Sequence, residues 1–136
     1  MAMTRAILFF VSFFAFVAVT FCAPVAEAAA EVDKRIVHHK GRLTWYTPGL
    51  GNCGNYDGEG DMVIAISKSR YDDNNGGNCD QWIKIKNVAN GKMAYGQVRD
   101  SCPGCGYDDL DLSPALFKEL GSLDDGVLQS SWHFLN

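Results

Sequence analysis

The placement of cysteine constrains this chain more than any other feature of its sequence. Of the five cysteines in 136 residues, Cys22 lies in an apolar N-terminal run, and the others are Cys53, Cys79, Cys102 and Cys105. An even number of cysteines in a short exported domain indicates two disulfides and permits three pairings. A four-thiolate zinc site is the competing interpretation, since Cys102-Pro-Gly-Cys105 has knuckle spacing, but Cys53 and Cys79 are too far apart in sequence to form a second knuckle.

The N-terminus has the pattern of a secretory signal. A long apolar run without a charged side chain is followed by small residues. We therefore predict a signal peptide over residues 1–23, in preference to a signal anchor that stays in the membrane. The dibasic pair Lys34-Arg35 resembles the sites of kexin-type processing proteases. It predicts a propeptide over residues 24–35 and a secreted, extracellular domain over residues 36–136.

The charge balance argues against two classes of partner. The chain has 12 Lys and Arg against 16 Asp and Glu, a formal net charge of -4, and residues 1–35 carry as many basic as acidic side chains. An acidic domain is poorly suited to a phosphate backbone or an anionic bilayer. We expect neither nucleic acid nor, after processing, a membrane as partner. The hydrophobic share of 47% is that of a globular domain. We also expect a monomer without a cofactor or a metal.

The first half of the mature part divides into short β-prone segments. Arg42–Tyr46 is the first, and it ends before Pro48. Met62–Ile66 is continuously apolar, as in a strand that is buried on both faces. Trp82–Lys86 alternates between apolar and polar residues, which indicates a half-buried strand.

The second half adds a hairpin, a helix and a last strand. Asn90-Gly91 precedes the β-prone segment Lys92–Val98 and predicts a hairpin with a type I′ turn. Ser113-Pro114 predicts a helix start, with the serine as N-cap, and Gly121 predicts its end. Val127–Phe134 is the last strand. Six or so short strands and one short helix indicate a compact, mostly β barrel.

Two glycine-rich segments suggest ligand loops but lack the context. Gly49–Gly54 satisfies the letters of the dinucleotide-binding pattern, yet residues 55–60 cannot open a helix. We interpret it as a glycine-rich loop tied down by a disulfide at Cys53. Tyr71–Gly77 lacks the spaced acidic residues of a calcium loop and is predicted to be a solvated loop.

Four motifs in order resemble those of a known family. They are Gly41–Gly54, Asn78–Asp80, Val98–Cys105 and Asp109–Pro114. They look like the motifs of single-domain expansin-like proteins of fungi, the loosenins. Relatives on the same fold include plant expansins, barwin, rare lipoprotein A type transglycosylases, barrel endoglucanases and secreted papain inhibitors. The resemblance covers nearly all of residues 41–134 and implies a six-stranded double-psi β-barrel with one short helix and two disulfides.

The resemblance also bears on catalysis. Barrel endoglucanases need a general acid and a base on either side of the scissile bond. Asp111 falls at their general-acid position, whereas alignment of their first-strand tyrosine on Tyr46 puts Pro48 at the position of the base. Because proline cannot act as a base, we expect a protein that, like expansins, loosens polysaccharide contacts without cutting. A lytic transglycosylase, in which one aspartate serves as acid and base, is a further alternative.

Asp111 also has a purely structural interpretation. A carboxylate just before the predicted helix would favour the positive end of the helix dipole. Asp108 and Asp109 lie beside Asp111 in sequence, and like charges at short range would raise the pKa of at least one of the three.

A groove for a sugar chain needs flat apolar faces and polar groups for the hydroxyls. Thr44 and Tyr46 share a face of the first strand and resemble the threonine and tyrosine that line the expansin groove. Asp100 corresponds to the aspartate that ends a Val-Thr-Asp motif there, with Arg99 in place of the threonine. Tyr107 would stack on a sugar ring. The predicted substrate-binding residues are Thr44, Tyr46, Asp100, Tyr107 and Asp111.

Two expectations follow from analogy with the expansin barrel. Cys53 should pair with Cys79, and Cys102 with Cys105, which would close a tight loop beside the groove. Expansins proper carry a second, carbohydrate-binding domain, whereas this chain ends at Asn136 soon after the last predicted strand. We therefore expect no second domain and weak binding through the barrel groove alone.

The resemblance leaves the function open between classes. The first hypothesis is a secreted protein that binds and loosens cell-wall polysaccharide, either cellulose, chitin or a related glucan. The second is a secreted inhibitor of papain-type cysteine proteases, since such inhibitors share the Cys-Gly and Asp-x-Cys-x-x-Cys motifs and act through exposed loops. Gly49–Gly60 and Asp72–Asn78 are the candidate loops. A secreted effector that binds a host partner is the third.

Overall fold

A computed structural model describes residues 36–135 of the chain. The predicted signal peptide and propeptide lie outside the described residues. No helix among the described residues is long and apolar enough to span a membrane. The elements, in chain order, are β1 His39–Trp45, β2 Val63–Ser67, α1 Lys68–Asp73, β3 Trp82–Asn87, β4 Met93–Cys102, β5 Leu110–Leu112, α2 Pro114–Leu120, a short 3₁₀ turn Leu123–Asp125 and β6 Leu128–Phe134.

The six strands close into a barrel in the order β1-β5-β2-β4-β3-β6. The β1–β5 and β2–β4 pairs are parallel, and the remaining pairs are antiparallel. Closure leaves no open edge among the described strands, which is how small β domains avoid pairing with other chains. The structure thus confirms the mostly β, six-stranded barrel that the sequence predicted.

The barrel interior is filled by alternate side chains of the strands and by one face of α2. Trp132 of β6 and Phe117 of α2 are fully buried in it. The helix begins as the sequence predicts: Pro114 is its first residue, and the Ser113 hydroxyl accepts a hydrogen bond from the Leu116 amide. The buried core residues are Leu43, Ile64, Ile66, Ile83, Ile85, Ala94, Val98, Leu110, Leu112, Leu116, Phe117, Leu120 and Trp132.

The β3–β4 hairpin forms as predicted, but its turn differs. Gly91 has a positive φ of 76°, whereas Asn90 does not have the positive φ that a type I′ turn requires. The loop is longer, closed by hydrogen bonds of 2.9 Å from Asn87 N to Lys92 O and from Gly91 N to Asn87 O. The side chain of Asn90 is committed to a tertiary contact instead, because its amide donates to Leu120 O at the end of α2. The type I′ prediction was wrong.

A second short helix, α1, follows β2 directly. The Ser67 hydroxyl accepts a 3.1 Å hydrogen bond from the Arg70 amide and caps its N-terminus. Residues 71–73, which were predicted to lie in a solvated loop, form its last turn. Apolar periodicity could not reveal this helix because none of its residues is buried.

Both expected disulfides are present. Cys53 pairs with Cys79 and Cys102 pairs with Cys105, at Cα–Cα distances of 5.6 and 5.4 Å. All four cysteines of the described residues are therefore in disulfides, and the zinc interpretation of their spacing does not apply. Cys102 is the last residue of β4 and follows the buried Ser101, so the second bridge lies on the outward surface of the strands.

Candidate functional site

A row of outward-facing side chains crosses four neighbouring strands. Ala65 of β2 pairs with Asp111 of β5 on one side and with Asp100 of β4 on the other, and Asp111 pairs with Thr44 of β1. The residues on either side of Asp111 belong to the fully buried core, so Asp111 points outward. The structure thus places three of the five predicted binding residues in one line, with the small Ala65 side chain between the two carboxylates.

A bulge puts Asp100 in this row. The register between β2 and β4 shifts after Ile64, so that Ala65 lies opposite Asp100 and Arg99 is the extra residue. One extra residue re-aims the side chains that follow it. Asp100 Oδ1 then accepts hydrogen bonds from the amides of Asn52, at 2.9 Å, and Ser101, at 2.8 Å. These backbone donors fix the orientation of the carboxylate.

Asp111 is half-buried and receives the Thr44 hydroxyl. Thr44 Oγ1 donates to Asp111 Oδ1 at 2.7 Å. Burial raises the pKa of Asp111 above its ordinary value, while the hydrogen bond from Thr44 acts in the opposite direction. The group is thereby suited to exchange a proton or to accept hydrogen bonds from sugar hydroxyls.

The neighbouring aspartates do not set this pKa, contrary to the expectation from sequence. Asp108 forms an ion pair with Arg70, and Asp109 forms one with Arg42 at 2.8 Å. With both negative charges paired, burial rather than like-charge crowding raises the pKa of Asp111. The N-cap of α2 is Ser113, and Asp111 lies two residues before it.

Tyr46 follows β1 directly and lies among three carboxylates. Burial raises the pKa of its phenol well above the usual value, and Asp100, Asp111 and Asp57 raise it further. The hydroxyl therefore stays protonated and can donate a hydrogen bond at any physiological pH. Of the predicted residues, Thr44, Tyr46, Asp100 and Asp111 come together here.

Asp57 is a member of the site that the sequence did not reveal. Its side chain is only 12% exposed, and its Oδ1 lies 3.8 Å from Arg99 Nε. Arg99 also pairs with Asp80 through Nη1 at 2.5 Å. The loop carrying Asp57 can fold against β4 because Gly51 has no side chain: a Cβ there would lie 2.2 Å from Arg99 O. No sequence signal would have singled out Asp57.

The disulfide between Cys102 and Cys105 borders the row. Both Sγ atoms and a carboxylate oxygen of Asp111 lie within 4.8 Å of one another. Thiolates in this position would suit a metal, but sulfurs joined in a disulfide are not free to act as thiolate ligands. The bridge instead forms an apolar border that contributes to the burial of Asp111.

Tyr107 lies two residues beyond this bridge and is held by α1. Arg70 packs over its ring, 4.3 Å from guanidinium carbon to ring centroid. The Tyr107 carbonyl accepts hydrogen bonds from Ser67 Oγ and from Arg70 Nε. Among the described residues, the polar contacts of Tyr107 are thus with Arg70 of α1 and with Ser67, the N-cap of that helix. The Tyr107 side chain is half-exposed.

Comparison with known proteins finds relatives that include a papain inhibitor and expansin-like proteins. No model of a known protein family matches it. It is 31% identical over 123 residues to the papain inhibitor of Streptomyces mobaraensis, which covers 86% of this chain and 83% of that protein. It is 38% identical over 101 residues to expansin-like protein 3 of Dictyostelium discoideum, which covers 62% of this chain and 28% of that protein.

Both kinds of protein also occur among the similar solved structures. The Streptomyces papain inhibitor has a TM-score of 0.66 at 31% identity, covering 75% of this chain and 98% of that one. An expansin variant from Clavibacter michiganensis in complex with cellohexaose has a TM-score of 0.65 at 26% identity, covering 74% of this chain and 51% of that one. The chain thus spans about half the length of that expansin. It belongs to the double-psi β-barrel superfamily that includes expansin-like proteins and the Streptomyces papain inhibitor.

Proposed function

We propose that this is a secreted expansin-like protein that binds cell-wall polysaccharide through the groove over the Thr44, Asp111 and Asp100 row, and loosens it without hydrolysis. The observation that carries the proposal is the row itself. Carboxylates stand on either side of the small, buried Ala65, so a chain that lies over the row contacts both of them. The neutral Tyr46 hydroxyl donates to sugar oxygens, and the aspartates accept from sugar hydroxyls.

The arrangement of carboxylates supports loosening rather than hydrolysis. Pro48, at the position of the base in barrel endoglucanases, has no titratable group. Asp57 lies against Arg99, and Asp100 Oδ1 already accepts two backbone amides. Asp111 combines partial burial with a raised pKa, as a proton donor requires. A single proton donor without a partner base does not satisfy the two-carboxylate requirement of ordinary glycoside hydrolysis.

The relatives support the substrate class. The Clavibacter expansin variant was crystallised with cellohexaose, and this chain is 38% identical over 101 residues to an expansin-like protein. Secretion is supported by the N-terminal signal pattern and by the two disulfides, which persist in oxidising compartments. We accordingly propose cellulose, chitin or a related glucan as the partner.

The test is depletion of the purified secreted protein from solution by insoluble cellulose and chitin, with released reducing sugar assayed in the same tubes. We expect binding without sugar release. Asp111→Asn should weaken binding several-fold, and Asp73→Asn, the same chemical change on an exposed carboxylate at the end of α1, should not. Sugar release would overturn the non-hydrolytic proposal. A failure of both polysaccharides to deplete the protein would overturn polysaccharide binding.

A second candidate function, inhibition of a papain-type cysteine protease, is favoured by one feature of the 49–57 loop. Leu50 and Tyr56 are 71% and 83% exposed, and they pair with each other in an isolated antiparallel bridge. Gly51 N donates to Asn55 O at 3.0 Å, and Cys53 is tied to Cys79. A braced loop that presents two apolar side chains is suited to enter a protease cleft.

Variants of the loop and of the groove separate the two functions. If the protein inhibits papain through this loop, Leu50→Ser and Tyr56→Ser should each raise the inhibition constant, whereas Asp111→Asn should leave it unchanged. Absence of inhibition at micromolar protein would exclude this candidate for papain. A thermal melt of each variant establishes that the substitution leaves the fold intact.

A further inference from the structure

The outward surface of β3 and its two neighbours differs from the groove in both charge and chemistry. Alternate residues of β3, namely Trp82, Lys84 and Lys86, point away from the core, since Ile83 and Ile85 between them are fully buried. On β4 the corresponding outward residues are Met93, Tyr95 and Gln97, and on β6 they are Ser131 and His133. These eight residues, with Lys40 of β1, are called the outer sheet face.

The register places aromatic and cationic side chains side by side on this face. Lys84 lies opposite Tyr95 on one side and His133 on the other. Lys86 lies opposite Met93 and Ser131, and Ser131 lies opposite Lys40. Trp82 and Tyr95 are 46% and 48% exposed. Their rings are thus half-exposed on the same surface of two adjacent strands, with lysines between and beside them.

The outer sheet face is cationic although the chain is acidic overall. No aspartate or glutamate occurs in β1, β3, β6 or residues 93–97 of β4. Within residues 36–135, no ion pair involves Lys40, Lys84 or Lys86. In a chain of formal net charge -4, the acidic side chains are concentrated elsewhere, including at the groove. This segregation makes the face attractive to an anionic partner.

We propose that the outer sheet face is a second binding surface, specific for acidic polysaccharide that carries uronate carboxylates. Half-exposed indole and phenol rings provide apolar faces on which pyranose rings stack. Lys84 and Lys86 stand two residues apart on one strand, roughly 7 Å, and each pairs with a uronate carboxylate. Single-stranded nucleic acid also offers aromatic rings and negative charge. However, it carries one phosphate per nucleotide, and the three lysines of this face could pair with only a few of them. This inference rests on the proposed function as a polysaccharide-binding protein.

The affinities of the two binding surfaces should respond differently to salt, so their contributions can be measured separately. The groove contains carboxylates and a neutral phenol, so its affinity for a neutral glucan should change little with salt. Binding to the outer sheet face relies on exposed ion pairs and should weaken as salt screens them. A wall that contains both neutral and acidic chains would engage both surfaces of one molecule, which raises avidity without a new contact.

The experiment measures affinity of the purified secreted protein for polygalacturonate and for the same polymer with its carboxyls fully methyl-esterified. We expect binding to the acidic polymer in 50 mM salt, at least about tenfold tighter than to the ester, and its loss in 500 mM salt. Lys84→Gln/Lys86→Gln should weaken that binding roughly tenfold, as expected for two exposed ion pairs. Lys118→Gln, on the exposed side of α2, is the matched control and should have no effect.

The inference is decided by the following results. Equal affinity for the acid and ester forms, or no effect of the lysine pair, would overturn it. Tighter binding of an oligothymidylate of equal charge would overturn the assignment to a glycan. Trp82→Ala that weakens binding without lowering the melting temperature would support ring stacking. Asp111→Asn should lower depletion by cellulose and leave polygalacturonate binding unchanged, so failure at the groove and failure at the outer sheet face appear in different assays.

Discussion

The Thr44 hydroxyl donates a 2.7 Å hydrogen bond to Asp111 Oδ1 across the parallel pair of β1 and β5. The bond favours the ionised carboxylate and opposes the effect of burial. Thr44→Val should therefore raise the pKa of Asp111 further and cost about 1 kcal/mol of stability at pH 7. A carbon-13 titration of the Asp111 carboxyl measures this. The control is Thr47→Val, which removes an exposed hydroxyl 3.4 Å from Glu59. If the titration midpoint of Asp111 were unchanged in Thr44→Val, the prediction would be wrong.

The raised pKa of Asp111 predicts a pH-dependent stability. An acid whose pKa is higher in the folded than in the unfolded state binds its proton more tightly when folded. Burial of the ionised form therefore costs nothing below the unfolded pKa, near 3.9, and the cost grows until the pH passes the folded value. The side chain introduced by Asp111→Asn cannot ionise, and its amide oxygen can still accept the hydrogen bond from the Thr44 hydroxyl.

Urea unfolding at two pH values tests this linkage. At pH 7, Asp111→Asn should have a higher free energy of unfolding than the unmodified protein, and the difference should vanish at pH 3. Asp73→Asn, on an exposed carboxylate, should show no such gain. A variant that is less stable than the unmodified protein at pH 7 and equal to it at pH 3 would show that the ionised carboxylate stabilises the fold.

The parts of this structure that were predictable depend on short-range patterns. Alternation in β3 and the Ser113-Pro114 start of α2 follow from local geometry, and both were confirmed. Asp57 was not predictable because its place in the site depends on the close approach of Gly51 to β4, which is a tertiary contact. The position of Asp100 beside Ala65 depends on a register shift that leaves no trace in the periodicity of β4.

Arg99 should stabilise the fold by balancing Asp57. The Asp57 side chain is 12% exposed and the Arg99 side chain 23% exposed. If the guanidinium is removed, the Asp57 carboxylate stays largely buried, and no other cation of the described residues forms an ion pair with it. We expect Arg99→Gln to lose about 2 kcal/mol, less than a fully buried pair would. Adding Asp57→Asn should restore most of the loss, because the uncompensated charge is then gone.

A double-mutant cycle by urea unfolding measures that coupling. Lys68→Gln, which breaks an exposed pair with Asp72, serves as a control and should cost much less. If the Arg99 and Asp57 substitutions prove additive, the two side chains do not interact energetically, and the contribution of Arg99 comes from its pair with Asp80.

The two disulfides should contribute to different properties. The stabilisation that a disulfide provides through loop-closure entropy grows with the length of the loop it closes. Cys53–Cys79 has a sequence separation of 26 and should contribute about 3.5 kcal/mol to the free energy of unfolding. Cys102–Cys105 has a separation of 3 and should contribute roughly 2 kcal/mol. Replacing each pair by serine should thus lower the melting temperature more for the first pair. The second pair borders Asp111, so its loss should lower the pKa of that carboxyl toward the ordinary value, as water reaches it. An Asp111 titration that is the same in both double variants would mean that the barrel strands alone, and not the bridge, exclude water from the carboxylate.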